Sequence, residues 1–137
     1  MSRRRSGPGA SLSGAWSGVY SFPRDARPAV SFAANLAQDG PWIAGASEEV
    51  AEHGEARGVV ISATLQGRRD GANVTWLKLY DRMLRTYNEV AYEGQVNEDA
   101  TEISGQWRIP GNWSGTFLMI RAPARALARR IATQERL

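Results

Sequence analysis

Apolar and polar side chains alternate along most of the chain with a period of two residues. This period is typical of β-strands, in which successive side chains point to opposite faces of a sheet. Glycine, aspartate, asparagine and proline interrupt the alternation at short intervals, as they do in turns between strands. The pattern predicts eight strands, over Ala15–Phe22, Ala29–Ala37, Trp42–Ser47, Gly58–Gln66, Asn73–Tyr80, Tyr87–Val96, Glu102–Ile109 and Trp113–Arg121.

The longest interruption of this alternation is the polar, charged segment Glu48–Arg57, which predicts a loop or a short helical excursion. The other connections are short, and short connections make sequential strands antiparallel neighbours. An open sheet of this kind would expose two edges, unless its first and last strands meet. Both of those strands carry Trp-Ser-Gly, at 16–18 and 113–115, and glycine permits a sharp bend at a barrel corner. We therefore predict an all-β domain over residues 12–121, an eight-stranded antiparallel up-and-down barrel.

Basic residues are concentrated at the two ends of the chain. Residues 12–121 hold nine Arg and one Lys against thirteen Asp and Glu, a net charge of −3, whereas the two ends together carry +6. We expect residues 1–11 to form a disordered basic tail. Residues 122–137 show helical spacing of apolar side chains and predict a short amphipathic basic helix.

These basic ends are candidates for binding a partner, because arginine pairs with carboxylates and phosphates through two hydrogen bonds. A solvated tail is the alternative interpretation. The slightly acidic barrel argues against sequence-specific nucleic-acid binding, and the apolar stripe is narrow, so we favour a protein partner over peripheral membrane contact. The candidate partner-binding residues are Arg3, Arg4, Arg5, Arg125, Leu127, Arg129, Arg130 and Ile131.

Composition and short motifs bear on the location of the protein and on its metal, cofactor and catalytic sites. The chain has no cysteine, no apolar run long enough for a membrane helix and no secretory signal pattern, so we expect a cytoplasmic protein. The single histidine, His53, lies in a charged segment that we expect to be solvated, and we predict neither a metal site nor a cofactor there. Nucleophile and phosphate-loop motifs are missing from the sequence, which makes enzymatic activity the weakest hypothesis.

Several short motifs resemble the avidin and streptavidin barrels. They are Val74–Tyr80 followed by Tyr92-Glu93-Gly94-Gln95, then Ile103–Trp107 with its Gln-Trp ending, and the opening Gly14-Ala15-Trp16, which also resembles lipocalins. The resemblance covers roughly residues 13–121 and implies a calycin-type barrel. It also implies that Trp76, Tyr92 and Trp107 form an aromatic pocket wall, and that Ser17 makes a polar ligand contact.

The sequence departs from the biotin-binding pattern of that family. Asn88 and Val90 stand where the family has a Ser and a Thr, and Glu49 is a poor match for a neutral ureido ring. The last strand ends without the family's Asp. Biotin is therefore not the expected ligand.

Five tryptophans and four tyrosines can either fill an eight-stranded barrel or line a ligand cavity. Our first hypothesis is a non-enzymatic barrel that binds a small, partly apolar molecule. Its candidate ligand-binding residues are Trp16, Ser17, Tyr20, Trp76, Asn88, Tyr92 and Trp107. The second hypothesis is a structural or accessory subunit that docks through its basic tails, and self-association is a third.

Overall fold

A computed structural model describes residues 10–50, 57–81, 89–111 and 113–121. Each of its eight strands pairs antiparallel with the next, and β1 also pairs with β8, so that the sheet closes into a barrel. The eight-stranded antiparallel up-and-down barrel is therefore confirmed. The strands are β1 (Gly14–Ser21), β2 (Val30–Asp39), β3 (Trp42–Val50), β4 (Val60–Asp70), β5 (Asn73–Tyr80), β6 (Glu89–Val96), β7 (Glu102–Arg108) and β8 (Ser114–Arg121).

The predicted tails at 1–11 and 122–137 lie outside the described residues, apart from residues 10 and 11. The predicted C-terminal helix therefore stays a prediction. Among the described residues there is no helix of the length and apolar character needed to cross a membrane.

Three strands end later than the alternation predicts, and β2 does so by two residues, at Asp39. Strand β3 continues to Val50, so the predicted loop at Glu48–Arg57 is wrong for its first three residues. Glutamates normally signal a solvated segment, but Glu49 points into the barrel and is buried. Strand β4 likewise continues past Gln66 to Asp70, and its Arg69 is buried.

The inward side chains pack into one core. Trp76 of β5 stacks on Tyr92 of β6, with ring centroids 5.7 Å apart, and Phe117 of β8 meets both rings edge-on at 5.8 and 5.0 Å. All three are buried. Burying one such side chain stabilises a fold by roughly 1.5–3 kcal/mol, so this group anchors the barrel.

The glycines of the two Trp-Ser-Gly repeats provide space rather than flexibility. A Cβ on Gly18 would lie 2.2 Å from the Phe32 ring, and one on Gly115 would lie 2.0 Å from the Ser21 carbonyl oxygen. Any larger residue would clash with an aromatic core side chain or with the neighbouring backbone. The repeats therefore mark positions of close approach on the two strands that close the barrel.

One end of the barrel, where β1 begins and β8 ends, is filled by the chain segment 10–13; we call it the plugged end. Leu12 is fully buried there, and its carbonyl accepts a 2.9 Å hydrogen bond from Trp16 Nε1. Arg121 lies over the Trp16 ring, 4.6 Å from its centroid. The Arg121 guanidinium also donates to the carbonyls of Ser13 and Ser11, each at 2.6 Å. These bonds fix the plug across the first and last strands.

Candidate functional site

The opposite end of the barrel, where β1 ends and β8 begins, contains an ion pair inside the sheet; we call this end the mouth. Lys78 Nζ of β5 lies 2.8 Å from Glu49 Oε1 of β3, and the two side chains are 2% and 7% exposed. Strand β4 pairs with both β3 and β5, so inward side chains from these strands meet across it. It is the one salt bridge found between described residues.

Two tyrosines complete the hydrogen bonding of the Glu49 carboxylate. Tyr20 donates to Glu49 Oε2 at 2.6 Å, and Tyr80 donates to Glu49 Oε1 at 3.3 Å. The Lys78 ammonium is surrounded by aromatic rings, which stabilise a cation through their negative faces. Its Nζ lies 4.8, 5.0, 5.4 and 5.8 Å from the ring centroids of Tyr80, Tyr20, Phe32 and Tyr92.

The pKa values of this polar cluster (Tyr20, Glu49, Lys78, Tyr80 and Tyr92) reflect its burial. Burial raises the pKa of Tyr20, Tyr80 and Tyr92, the last to about 12, because a phenolate is poorly solvated there. Burial alone would lower the pKa of Lys78. The oxygens of Tyr92, Tyr80 and Glu49 outweigh this effect, and the pKa of Lys78 lies above its ordinary value. At neutral pH the cluster therefore holds an ammonium among neutral phenols.

A small cavity lies beside this cluster. Its volume is about 10 Å³, and it is lined by Phe32, Ser47, Leu65, Trp76, Lys78 and Tyr92. Ser47 Oγ is buried and has no hydrogen-bond partner within the described part of the chain. The cavity has room for about one water molecule, whereas drug-sized ligands need pockets of roughly 300–1,000 Å³. The space beneath the polar cluster is therefore core.

Above the cluster, at the mouth itself, Phe22 and Trp113 are half-buried, whereas Trp107 is buried. Phe22 lies 5.8 Å from Tyr20 and 5.5 Å from both Trp107 and Trp113, centroid to centroid, and every contact is edge-on. Trp107 Nε1 donates to the Ser21 carbonyl at 3.0 Å, which fixes the indole. The aromatic rings of the mouth thus contact the polar cluster through Tyr20, which lies 5.8 Å from Phe22 and 6.1 Å from Trp107.

The structure separates the predicted ligand-binding residues. Tyr20 and Tyr92 belong to the polar cluster, and Trp107 belongs to the aromatic mouth. Trp76 lies in the core below them, and Trp16 lies at the plugged end.

Two further predicted residues lie elsewhere. Ser17 alternates with Trp16 on β1, so it faces away from the interior, and its cross-strand neighbours are Ala33 and Ile120. Asn88 and the candidate partner-binding arginines at both ends lie outside the described residues, as do Leu127 and Ile131.

Sequence reasoning missed three residues of the cluster: Glu49, Lys78 and Tyr80. Lys78 falls on the face shared by Val74 and Trp76, which is the inward face of β5. Glu49 stands two residues after the buried Ser47, and so also faces inward. The available signal was the alternation itself, which places both charges inside regardless of their polarity.

The outer face carries a shallow groove that crosses β3 to β7, with a volume of about 720 Å³. Its floor includes the side chains of Ala44, Thr75, Leu77 and Ala91, and Gln66 and Gln106 also line the groove. Trp42 stands at one side, 59% exposed, with the Arg68 guanidinium 5.6 Å from its ring centroid. Glu93 and Arg108 line the other side.

Within the described ranges, no three His, Cys, Asp or Glu side chains are grouped so that they could hold a metal ion. His53 lies outside those ranges. No protein-family model matches the chain, and no curated protein matches it in sequence. Function is therefore inferred from the geometry of the mouth and of the outer groove.

Proposed function

We propose that this protein is a non-enzymatic binding barrel that takes a small, partly apolar molecule at its mouth. The Glu49–Lys78 ion pair carries the proposal. Replacing a buried ion pair by apolar side chains of similar volume is often neutral or stabilising, so a barrel that served only as a rigid body would not need this pair. Buried charged groups beside aromatic side chains are also a feature of many binding sites.

The mouth supplies two kinds of contact to such a ligand. The half-buried rings of Phe22 and Trp113 offer flat apolar surface, and the buried Trp107 packs against Phe22 beneath them. The half-buried Tyr20 and Tyr80 reach the Glu49 carboxylate with their hydroxyl groups, and these can exchange hydrogen bonds with a polar ligand group. The apolar part of the ligand lies against the rings, and its polar group lies over the two tyrosines.

The closed order of eight strands is compatible with a calycin-like fold, and it supports the avidin-like and lipocalin-like interpretation at that level. The ligand need not resemble biotin. The interior of the barrel is not an open ligand chamber, because the cavity beside Tyr92 has space for about one water molecule. We therefore propose that the ligand binds at the rim of the barrel and not in its interior.

Native mass spectrometry of the protein, purified gently from its own source, tests this proposal. We expect an excess mass of small-molecule size that is lost on denaturation. Tyr20→Phe keeps the ring but removes the hydroxyl donor to Glu49, and should reduce the retained fraction. Trp42→Phe, on the outer face, is the matched aromatic control and should retain the molecule fully. A chain that carries no added mass in any sample would contradict the proposal.

The outer groove favours a second candidate function, that of an accessory subunit whose barrel is a rigid body. An exposed tryptophan beside a shallow groove is a surface that a protein partner can cover. The predicted basic tails would add charge to the same contact. Co-purifying chains that are lost on deletion of residues 122–137 would support this role, and retention of a small molecule by the truncated chain would support the first.

A further inference from the structure

The connection between β1 and β2 places an arginine on the aromatic mouth. The Arg27 guanidinium lies 5.2 Å from the Trp113 ring centroid and 5.8 Å from that of Phe22. The two rings are nearly perpendicular, at 86°, and form a corner that receives the cation. Arg27 itself is exposed, whereas both rings are half-buried.

No described carboxylate pairs with Arg27, since the salt bridge found among the described residues joins Lys78 to Glu49. Among the described residues, the guanidinium contacts the aromatic corner and has no side-chain hydrogen bond. Cation–π attraction is strongest over the face of tryptophan, and it also acts on quaternary ammonium groups, which aromatic cages bind in the same way.

The backbone that carries Arg27 is strained. Arg24 and Asp25, in the 3₁₀ turn Pro23–Asp25, both adopt left-handed conformations, with φ of 54° and 55°. Residues other than glycine adopt this conformation only where the surrounding contacts hold them, and such strain is concentrated at ligand clamps and switches. The turn is held by Asp25 N–H and Ala26 N–H, which donate to the carbonyls of Phe22 and Pro23. Release of Arg27 from the rings would leave both hydrogen bonds in place.

We propose that the Phe22–Trp113 corner is a binding seat for a cationic group, a guanidinium or a methylated ammonium, and that Arg27 occupies it in the absence of that group. The inference of this seat rests on the proposed function, because the seat lies on the same mouth. It adds to that function the expectation that the ligand carries a positive charge. The corner adjoins Tyr20 through Phe22, so a ligand cation on the seat leaves the rest of the molecule over the Glu49 side of the mouth.

NMR titration of the full chain with tetramethylammonium and with guanidinium, against sodium chloride at equal ionic strength, tests the seat. The probed signals are the indole N–H resonances of Trp113 and Trp107, assigned with single Trp→Phe variants. In Arg27→Ala the seat is vacant, and we expect both cations to shift Trp113 at concentrations at least fivefold lower than in the native chain. Arg27→Gln also removes the guanidinium but keeps a longer side chain, and it should give the same result as Arg27→Ala.

Arg24→Ala is the matched control, because it removes the same charge from the same β1–β2 connection. It should leave the native titration unchanged. If neither cation shifts Trp113 in either Arg27 variant, or if Arg24→Ala acts as strongly as Arg27→Ala, the seat is overturned. Retention of a neutral molecule at the mouth by native mass spectrometry, together with such a result, would overturn the seat but leave the proposed function standing.

Discussion

Both ends of the barrel hold charged side chains that are at least half-buried, but their hydrogen-bond partners differ. At the plugged end, Arg121 and Arg69 donate to the backbone carbonyls of residues 10, 11 and 13. At the mouth, Glu49 and Lys78 bond to each other and to tyrosine side chains, with no backbone group among these partners. The arginines therefore tie chain segments together, whereas the ion pair could be replaced without orphaning the backbone. This contrast supports a structural role for the plugged end and is one basis of our proposal that the mouth binds a ligand.

Alkaline pH should destabilise the chain through the mouth, with the largest effect of those we expect. Tyr20, Tyr80, Tyr92 and Lys78 all have pKa values above their ordinary values of 10.0 and 10.5. The folded chain holds these protons more tightly than the unfolded chain does. The resulting stability is present below pH 10 and is lost as the pH rises through the raised pKa values. The free energy of unfolding should fall by roughly 1.4 kcal/mol per pH unit for each group.

Urea unfolding between pH 8 and pH 12 measures this slope, and tyrosinate absorbance follows the same samples. Three of the four tyrosines belong to the cluster, so most of the absorbance change should coincide with unfolding. Tyr92→Phe should reduce the slope by the contribution of one group, roughly 1.4 kcal/mol per pH unit. A phenolate signal that reaches full amplitude at pH 10 in the folded chain would contradict the burial of the cluster.

Breaking the ion pair from one side should have the next largest effect. Lys78→Met leaves the Glu49 carboxylate buried without its cation, and we expect a loss of about 3–5 kcal/mol in the free energy of unfolding. The double variant Lys78→Met/Glu49→Leu removes both charges and should recover at least half of that loss. Urea denaturation of Lys78→Met, Glu49→Leu and the double variant gives the unfolding free energies for a double-mutant cycle. A double variant that is less stable than either single one would show that the fold itself requires the pair.

At the plugged end, Arg121→Ala should cost about 2 kcal/mol of unfolding free energy, because charged hydrogen bonds and a cation–π contact are lost together. Arg108→Ala, an exposed arginine on β7, is the control and should change stability by less than about 0.5 kcal/mol. Thermal unfolding compares the two. If Arg121→Ala also abolished retention of a molecule at the mouth while the chain stayed folded, the two ends would not be independent.

The outer face should contribute least to stability. Trp42 is 59% exposed, so Trp42→Ala should change the unfolding free energy by about 0.5 kcal/mol or less. Size-exclusion chromatography with light scattering should give the same mass for this variant and the native chain. A drop in mass on substitution would instead identify the groove as an interface between copies.

The barrel was predictable because its strongest signals are local. Alternation and the Asp70-Gly71 turn gave β5 its observed bounds, Asn73–Tyr80, from sequence alone. The C-terminal end of β3 could not be predicted in the same way. A glutamate such as Glu49 indicates a solvated segment unless its buried partner is known. That partner, Lys78, is 29 residues away and meets it across β4.

The candidate site was predicted only in part for the same reason. Tyr20, Tyr92 and Trp107 were singled out as aromatics, and all three lie at or beneath the mouth. Trp16 is also aromatic and inward-facing, but strand direction places it at the plugged end. An alternating pattern gives the face of each side chain and says nothing of its depth along the barrel axis. Depth is set by the register between strands, which the sequence does not display.

The pairing of β1 with β8 has a consequence for how the chain is made. Arg121 and Ser13, which it brings together, are separated by 108 residues. Contacts of such long sequence separation form late and slow the folding of a domain, because the loop must close before they are gained. During synthesis at about 5–20 residues per second, β1 emerges roughly 5–20 s before β8 exists. For that interval the nascent chain is an open sheet with a bare first edge, and the last strand to be translated is the one that covers it.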